Sequence, residues 1–277
     1  MNVGCIVYLN QTDDLAERFE YLRDEGFTSC QICCWDPELY TSENAKIIID
    51  SASKNKVSIS SLWCGWSGPT EWNFYGAQNC LGLVPPEYRE QRTRELCMGS
   101  DFAKKIGVCD IVTHMGFIPE NPNDPEFIPF CNAVKIVAQY AKNNGQYLLF
   151  ETGQETPVTM LRCFEVIGVD NLGVNLDTGN CILYGRANPI DALDVIGPYV
   201  RCVHAKDAFY PTNGHDLGKE VSIGTGKVDF EAILRKLKEL GLSPDLIIER
   251  EIGDNEQVAD IRRAKHFLET LILRVFQ

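Results

Sequence analysis

The chain has 277 residues, 44% of them hydrophobic, and a formal net charge of −13. That acidic balance argues against the basic stripe that replaces counterions on nucleic acid, and no stretch approaches the roughly 18 uninterrupted apolar residues of a membrane-spanning helix. Twelve cysteines do not make a disulfide scaffold here, because such scaffolds are short secreted chains. The opening MNVGCIVYLNQTDD has no basic leader and too short an apolar run for a secretory signal, so a reducing, cytoplasmic setting is expected.

In chain order, short apolar runs rich in β-branched residues recur near 3–8, 28–33, 56–63, 109–114, 146–151, 172–177, 199–204 and 245–249. Helical periodicity fills the intervals. Leu15, Phe19 and Leu22 share a face, with Thr12 as the candidate cap and Gly26 as the stop. Ser42 opens the next helix, and a long polar-faced one runs from about Glu87 to Lys105. The Pro-rich segment from Pro119 to Pro125 reads as an extended loop after the fourth strand. Phe230, Ile233, Leu237 and Leu240 form a helical face between Asp229 and Gly241, and Val258, Ile261, Leu268 and Leu271 form the last one.

Cys5, Cys33, Cys109 and Cys202 fall within the apolar runs, where cysteine acts as a small buried hydrophobe. The CxxC of Cys30 and Cys33 lies in a strand, whose period of two sends the two thiols to opposite faces.

Strands alternating with helices imply parallel pairing and right-handed crossovers. Eight such units, with no Gly-rich nucleotide fingerprint after the first strand, point to a closed α/β architecture. The expectation is a single (β/α)8 TIM barrel over residues 1–277, a fold of about 250 residues.

Barrel enzymes carry their chemistry at the C-terminal ends of the strands. Those ends are Tyr8-Leu9-Asn10, Trp35, Trp63, His114, Glu151, Asp177, His204 and Glu249. The last four, in LLFE, VNLD, RCVH and LIIE, come from successive strands, and each closes an apolar run. Three carboxylates converging in a partly dry mouth repel one another unless a cation sits among them. One divalent ion held by Glu151, Asp177, His204 and Glu249 fits. Three oxygens and one nitrogen suit Mn²⁺ first, with Mg²⁺ or Co²⁺ as alternatives, better than the sulfur-rich sphere of structural zinc. Glu251 shares a face with Glu249 and is its rival. Glu249 is preferred because it directly ends the run.

These residues resemble the xylose isomerase-like superfamily, the sugar phosphate isomerase/epimerase family. The likeness covers the whole chain and rests on Phe150-Glu151-Thr152-Gly153-Gln154-Glu155, Val174-Asn175-Leu176-Asp177, Val203-His204-Ala205-Lys206-Asp207, Ile247-Ile248-Glu249 and Gly224-Thr225-Gly226-Lys227-Val228-Asp229-Phe230. The resemblance implies a metal-dependent sugar isomerase or epimerase acting through a metal-stabilised enediolate, with Glu151 and Glu249 exchanging the proton. It departs from the ketose 3-epimerase pattern at Asn180, where those relatives place His, and at Phe209 and Tyr210, near which they place Arg. A lyase acting on a keto-sugar, cyclitol or C-glycoside through the same site is the alternative, with His114 as its base. A non-catalytic metal-holding subunit is a third reading. The endonuclease relatives bind three zincs through many histidines, whereas this acidic chain has four histidines.

Further substrate contacts are expected at His114, Lys206, Glu155 and Trp35. Lys206 points the same way as His204 if the strand continues; otherwise it pairs with Glu155 or Asp207. Trp35, Trp63 and Trp66 offer a stacking face or a lid, and that exposed loop makes a homo-oligomer conceivable. Gly224-Thr225-Gly226 serves a tight turn rather than a phosphate, since clustered basic residues are missing beside it. A carbohydrate substrate, without nucleic acid or membrane partners, is the expected company.

Overall fold

The strands are β1 (Val3–Tyr8), β2 (Ser29–Cys34), β3 (Ser58–Cys64), β4 (Asp110–Thr113), β5 (Tyr147–Glu151), β6 (Leu172–Asp177), β7 (Val200–Ala205), β8 (Asp207–Phe209), β9 (Lys219–Val221) and β10 (Asp245–Ile248), and all but β8 and β9 arise from the eight apolar runs. The computed structural model describes residues 1–12 and 14–276. Among the described residues, eight strands close into a barrel in the order β1-β10-β7-β6-β5-β4-β3-β2, and neighbours pair in parallel. β8 and β9 form a separate antiparallel hairpin, unforeseen in the sequence because each spans three residues.

The surrounding helices are α1 (Leu15–Asp24), α2 (Ser42–Asn55), α3 (Ala77–Cys80), α4 (Pro86–Lys105), α5 (Phe127–Asn143), α6 (Pro157–Ile167), α7 (Thr178–Leu183), α8 (Pro189–Ile196), α9 (Phe230–Glu239) and α10 (Asp254–Phe276). The longer ones bury apolar side chains. Phe19 and Leu22 of α1, Phe130 and Val134 of α5, and Leu237 of α9 are buried, and full burial of such a side chain contributes about 1.5–3 kcal/mol. Among the described residues, no helix is long and apolar enough to cross a membrane.

Three expectations need correction. The cap of α1 is Asp14, whose carboxylate accepts from the amides of Ala16 at 2.8 Å and Glu17 at 3.3 Å. Thr12 sits too far upstream and instead donates to Asn10 Oδ1. Cys109 is exposed because β4 begins one residue later. Leu240 is half-exposed as the C-cap of α9, beyond the face that Ile233 and Leu237 bury.

Two bulges set which side chains enter the barrel. Ile59 pairs with Cys30 and Ser61 with Gln31, so Ser60 is an extra residue in β3. Val174 pairs with Val200 and Asn175 with Cys202, so Arg201 is extra in β7. A bulge re-aims the side chains beyond it. Arg201 then closes the N-terminal end of the barrel, donating to Asp110 at 2.7 Å and lying 3.7 Å over the Tyr147 ring. A Cβ on Gly173 would meet Arg201 Cδ at 2.8 Å, so that closure requires glycine. With this end filled, the C-terminal mouth is left for a site.

Candidate metal centre

Glu151 ends β5, Asp177 ends β6, His204 lies one residue before the end of β7, and Glu249 follows β10. Asp177 and His204 are direct partners in the β6–β7 register. The Glu249 amide donates to the Ala205 carbonyl at 3.2 Å, which extends the β7–β10 pairing to that residue. One ligand atom from each of the four lies within 4.8 Å of every other. The strands therefore bring together all four residues that the sequence pattern selected. Glu251, the rival ligand, is turned to Lys206 instead.

Local contacts orient each group. Asp177 caps α7 with Oδ1, which accepts from the Asn180 amide at 2.7 Å. Its Oδ2 is buried without a hydrogen-bond partner, and so is His204 Nδ1. His204 Nδ1 lies 2.8 Å from Glu151 Oε1, 3.2 Å from Glu249 Oε2 and 3.8 Å from Asp177 Oδ2. Glu151 Oε2 accepts from the Trp63 indole N–H and lies 3.4 Å from His114 Nε2. Two orphaned atoms aimed into a ring of oxygens are what a cation would satisfy, and three oxygens with one imidazole nitrogen make a fitting sphere for a divalent ion.

The electrostatics tell the same story. Burial pushes the Asp177 carboxyl up to about 8 despite the pull of Lys206 and His204. Burial also acts to raise Glu151 and Glu249, but His114 and His204 for the first, and Lys206 and His204 for the second, hold both below the usual carboxylate range. Burial acts to lower His204 and Lys206, yet the surrounding carboxylates raise both well above their ordinary values. Lys206 pairs with Glu249 at 3.1 Å, with Glu251 and with Asp177 at 3.8 Å, and not with Glu155 or Asp207. Asp207 instead accepts from the amides of Gly224, Gly226 and Val228 and holds that glycine turn. Gly224 has a φ of 86°, the turn role expected for it.

Glu151 and Glu249 open onto a cavity of about 280 Å³ whose lining also includes Lys206, His114 and Trp35. Glu155 does not line it. That side chain is buried with neither carboxylate oxygen in a hydrogen bond, and burial pushes it up to about 8. One side of the cavity is aromatic. Trp35 packs at a tilt against Trp63 at 4.5 Å and edge-on against Trp66 at 5.6 Å and Trp72 at 6.0 Å, and Trp63 and Trp72 flank His114. Leu183, Tyr184 and Leu217 come from the β6–β7 side opposite. Buried Arg92 of α4 fixes the tryptophan loop, donating to the carbonyls of Ser67, Pro69, Cys80 and Gly82.

Sequence reasoning missed Trp72, which lies in a loop without periodicity, and Tyr184, the C-cap of the short helix α7. It also missed Gln31, which is fully buried in β2 with Oε1 2.8 Å from His204 Nε2. A lone amide inside the SCQICC run was the available signal.

A family profile described as xylose isomerase-like TIM barrel matches residues 19–271. A xylose isomerase domain protein from Planctomyces limnophilus superposes with a TM-score of 0.92 at 32% identity, over 99% of this chain and 98% of that one. A D-tagatose 3-epimerase-like protein superposes with a TM-score of 0.74 at 21% identity, over 99% and 98% of the two chains. The uncharacterized protein MJ1311 of Methanocaldococcus jannaschii is 23% identical over 96% of this chain and 87% of its own length. With a family profile spanning nearly its whole length, this chain belongs to the xylose isomerase-like TIM barrels.

Proposed function

We propose that this protein is a divalent-metal-dependent isomerase or epimerase of a neutral sugar. The observation that carries the reading is the quartet Glu151, Asp177, His204 and Glu249, gathered within 4.8 Å, two of whose members, Glu151 and Glu249, line a cavity of about 280 Å³. Mn²⁺, Mg²⁺ or Co²⁺ bound there supplies Lewis acidity toward a sugar carbonyl and its neighbouring hydroxyl.

Glu151 and Glu249 reach the cavity from strands β5 and β10, separated by β6 and β7 in the barrel. One takes the proton from the carbon beside the carbonyl, and the other delivers a proton to the opposite face. Trp63 and His114 hold Glu151 Oε2 in place, so the carboxylate does not swing during transfer. Lys206 directs its ammonium to the same space and would bind a sugar oxygen there. Trp35 and Trp72, 36% and 44% exposed, present ring faces to the apolar side of a sugar.

The substrate is neutral on this reading. Lys206 is the one lysine or arginine among the lining residues, and its charge is already met by Glu249 and Glu251. A phosphate would enter a site with surplus carboxylates and no free cationic side chain.

His114, flanked by Trp63 and Trp72 beside Glu151, also favours a second reading, a lyase that expels a group from the next carbon. Incubation of the Mn²⁺-loaded protein with ketoses and 3-keto-sugars in D₂O separates the two. Recovered sugar carrying carbon-bound deuterium indicates isomerisation, and a released fragment indicates elimination. Full turnover by Glu249→Gln would sink both.

A further inference from the structure

We propose that Gln31 is a positioning residue that keeps the proton of His204 on Nε2, so that the Nδ1 lone pair faces the other three ligands. The inference rests on the metal-centre reading above. It follows from the direction of a buried hydrogen-bond chain beneath the site.

The chain starts at a fixed end. Ser60, the bulge residue of β3, donates its single hydroxyl hydrogen to the Cys30 carbonyl at 2.9 Å. Toward Ser61, 3.4 Å away, Ser60 therefore offers only lone pairs. The Ser61 hydrogen is directed at Ser60 or at the Cys202 sulfur, 3.9 Å off. Ser61 then presents a lone pair to Gln31, whose amide is oriented to donate to it through Nε2 at 2.8 Å. That choice turns Gln31 Oε1, an acceptor only, to His204 Nε2 at 2.8 Å. Nε2 must carry the hydrogen. The flipped amide would place N–H against Nε2 and move the imidazole hydrogen to Nδ1, where it would block a cation. Gln31, Ser61 and His204 are each fully buried.

The bulge matters to this arrangement. Without the extra residue in β3, Ser61 would not stand in register with Gln31. The sequence thus uses Ser60 twice, once to shift the register and once to set the hydrogen-bond direction.

Two measurements test the proposal. The first is a long-range ¹H–¹⁵N correlation spectrum of the Mg²⁺-loaded protein with ¹⁵N-labelled histidine, in which four histidines must be assigned. The expected result is a protonated Nε2 and a bare Nδ1 at His204. A proton on Nδ1 overturns the proposal, and this arm needs no variant to fold. The second compares Mn²⁺ affinity in Gln31→Met and Gln31→Glu. Loss of an outer partner of a ligating histidine costs about 10- to 100-fold in metal affinity. Gln31→Met should show that loss, while Gln31→Glu, which keeps an acceptor, should retain both the affinity and the Nε2–H signal. Unchanged affinity in Gln31→Met overturns the proposal and leaves the metal centre standing. Wild-type protein that binds no Mn²⁺ removes the metal centre itself, a distinguishable result.

Discussion

Asp177 Oδ2 and His204 Nδ1 face each other 3.8 Å apart on adjacent strands, both buried and neither in a well-aligned hydrogen bond. Two unsatisfied polar atoms in such a place cost free energy that a packed protein rarely leaves uncompensated. Glu151 and Glu249 complete the ring around them. The remaining predictions follow from what holds that ring and what would fill it.

Binding to the folded chain alone raises stability by mass action. Mn²⁺ at a hundred times its dissociation constant should raise the unfolding free energy by about 2.7 kcal/mol, reversibly with EDTA. Chemical denaturation with and without the ion measures it. Asp177→Asn should abolish the effect. The same gain in Asp177→Asn would mean that the ion binds elsewhere.

Arg92 ties down the loop that carries Trp66 and Trp72 through four carbonyl contacts and a stack against Trp66. Arg92→Leu removes the donor to the buried Cys80 and Gly82 carbonyls and should cost about 3 kcal/mol of unfolding free energy. All four tryptophans of the chain lie in this cluster. Their emission should therefore shift to the red in the native variant. Unchanged emission and an unchanged urea midpoint would show that the loop holds without Arg92.

Glu155 gives a pH dependence with a definite sign. Burial raises its carboxyl from 4.5 to about 8 in the folded chain. Between those values the folded state binds more protons than the unfolded state, so this group's contribution declines as pH rises through the window and levels off above it. Glu155→Gln should remove that decline and be more stable than wild type at pH 8, on the order of a few kcal/mol. Parallel stability–pH profiles for the two proteins would count against it.

Lys206 occupies the same carboxylate cluster as the proposed ion, 3.1 Å from Glu249. Opposite unit charges 4 Å apart interact by up to about 4 kcal/mol at an effective dielectric near 20. Removing the ammonium should strengthen cation attraction, so Lys206→Met should bind Mn²⁺ on the order of tenfold more tightly while losing turnover. Isothermal titration settles the sign. Weaker binding would mean that Lys206 assembles the ligands instead of competing with the ion.

The barrel and the gathering of Glu151, Asp177, His204 and Glu249 were legible because both depend on strands. An apolar run of five or six residues ending in a single Glu, Asp or His states its own geometry once the C-terminal-end rule applies. Interactions that cross the barrel were not legible. Nothing local shows that Gln31 reaches His204, 173 residues away, or that Lys206 turns to Glu251 rather than to Glu155. Trp72 sits in SGPTEWN, a segment without periodicity, and is placed by Arg92 from a helix beyond it. Thr12 failed as a cap for a local reason: Asp14 is nearer the first free amides and is the stronger acceptor.

The most direct test is an anomalous difference map from crystals grown with Mn²⁺ and collected at the manganese edge. One peak per chain, bonded to Glu151, Asp177, His204 and Glu249 together, is the result expected. A peak bound to other residues, or none at saturating Mn²⁺, would contradict the metal centre and the sugar chemistry built on it.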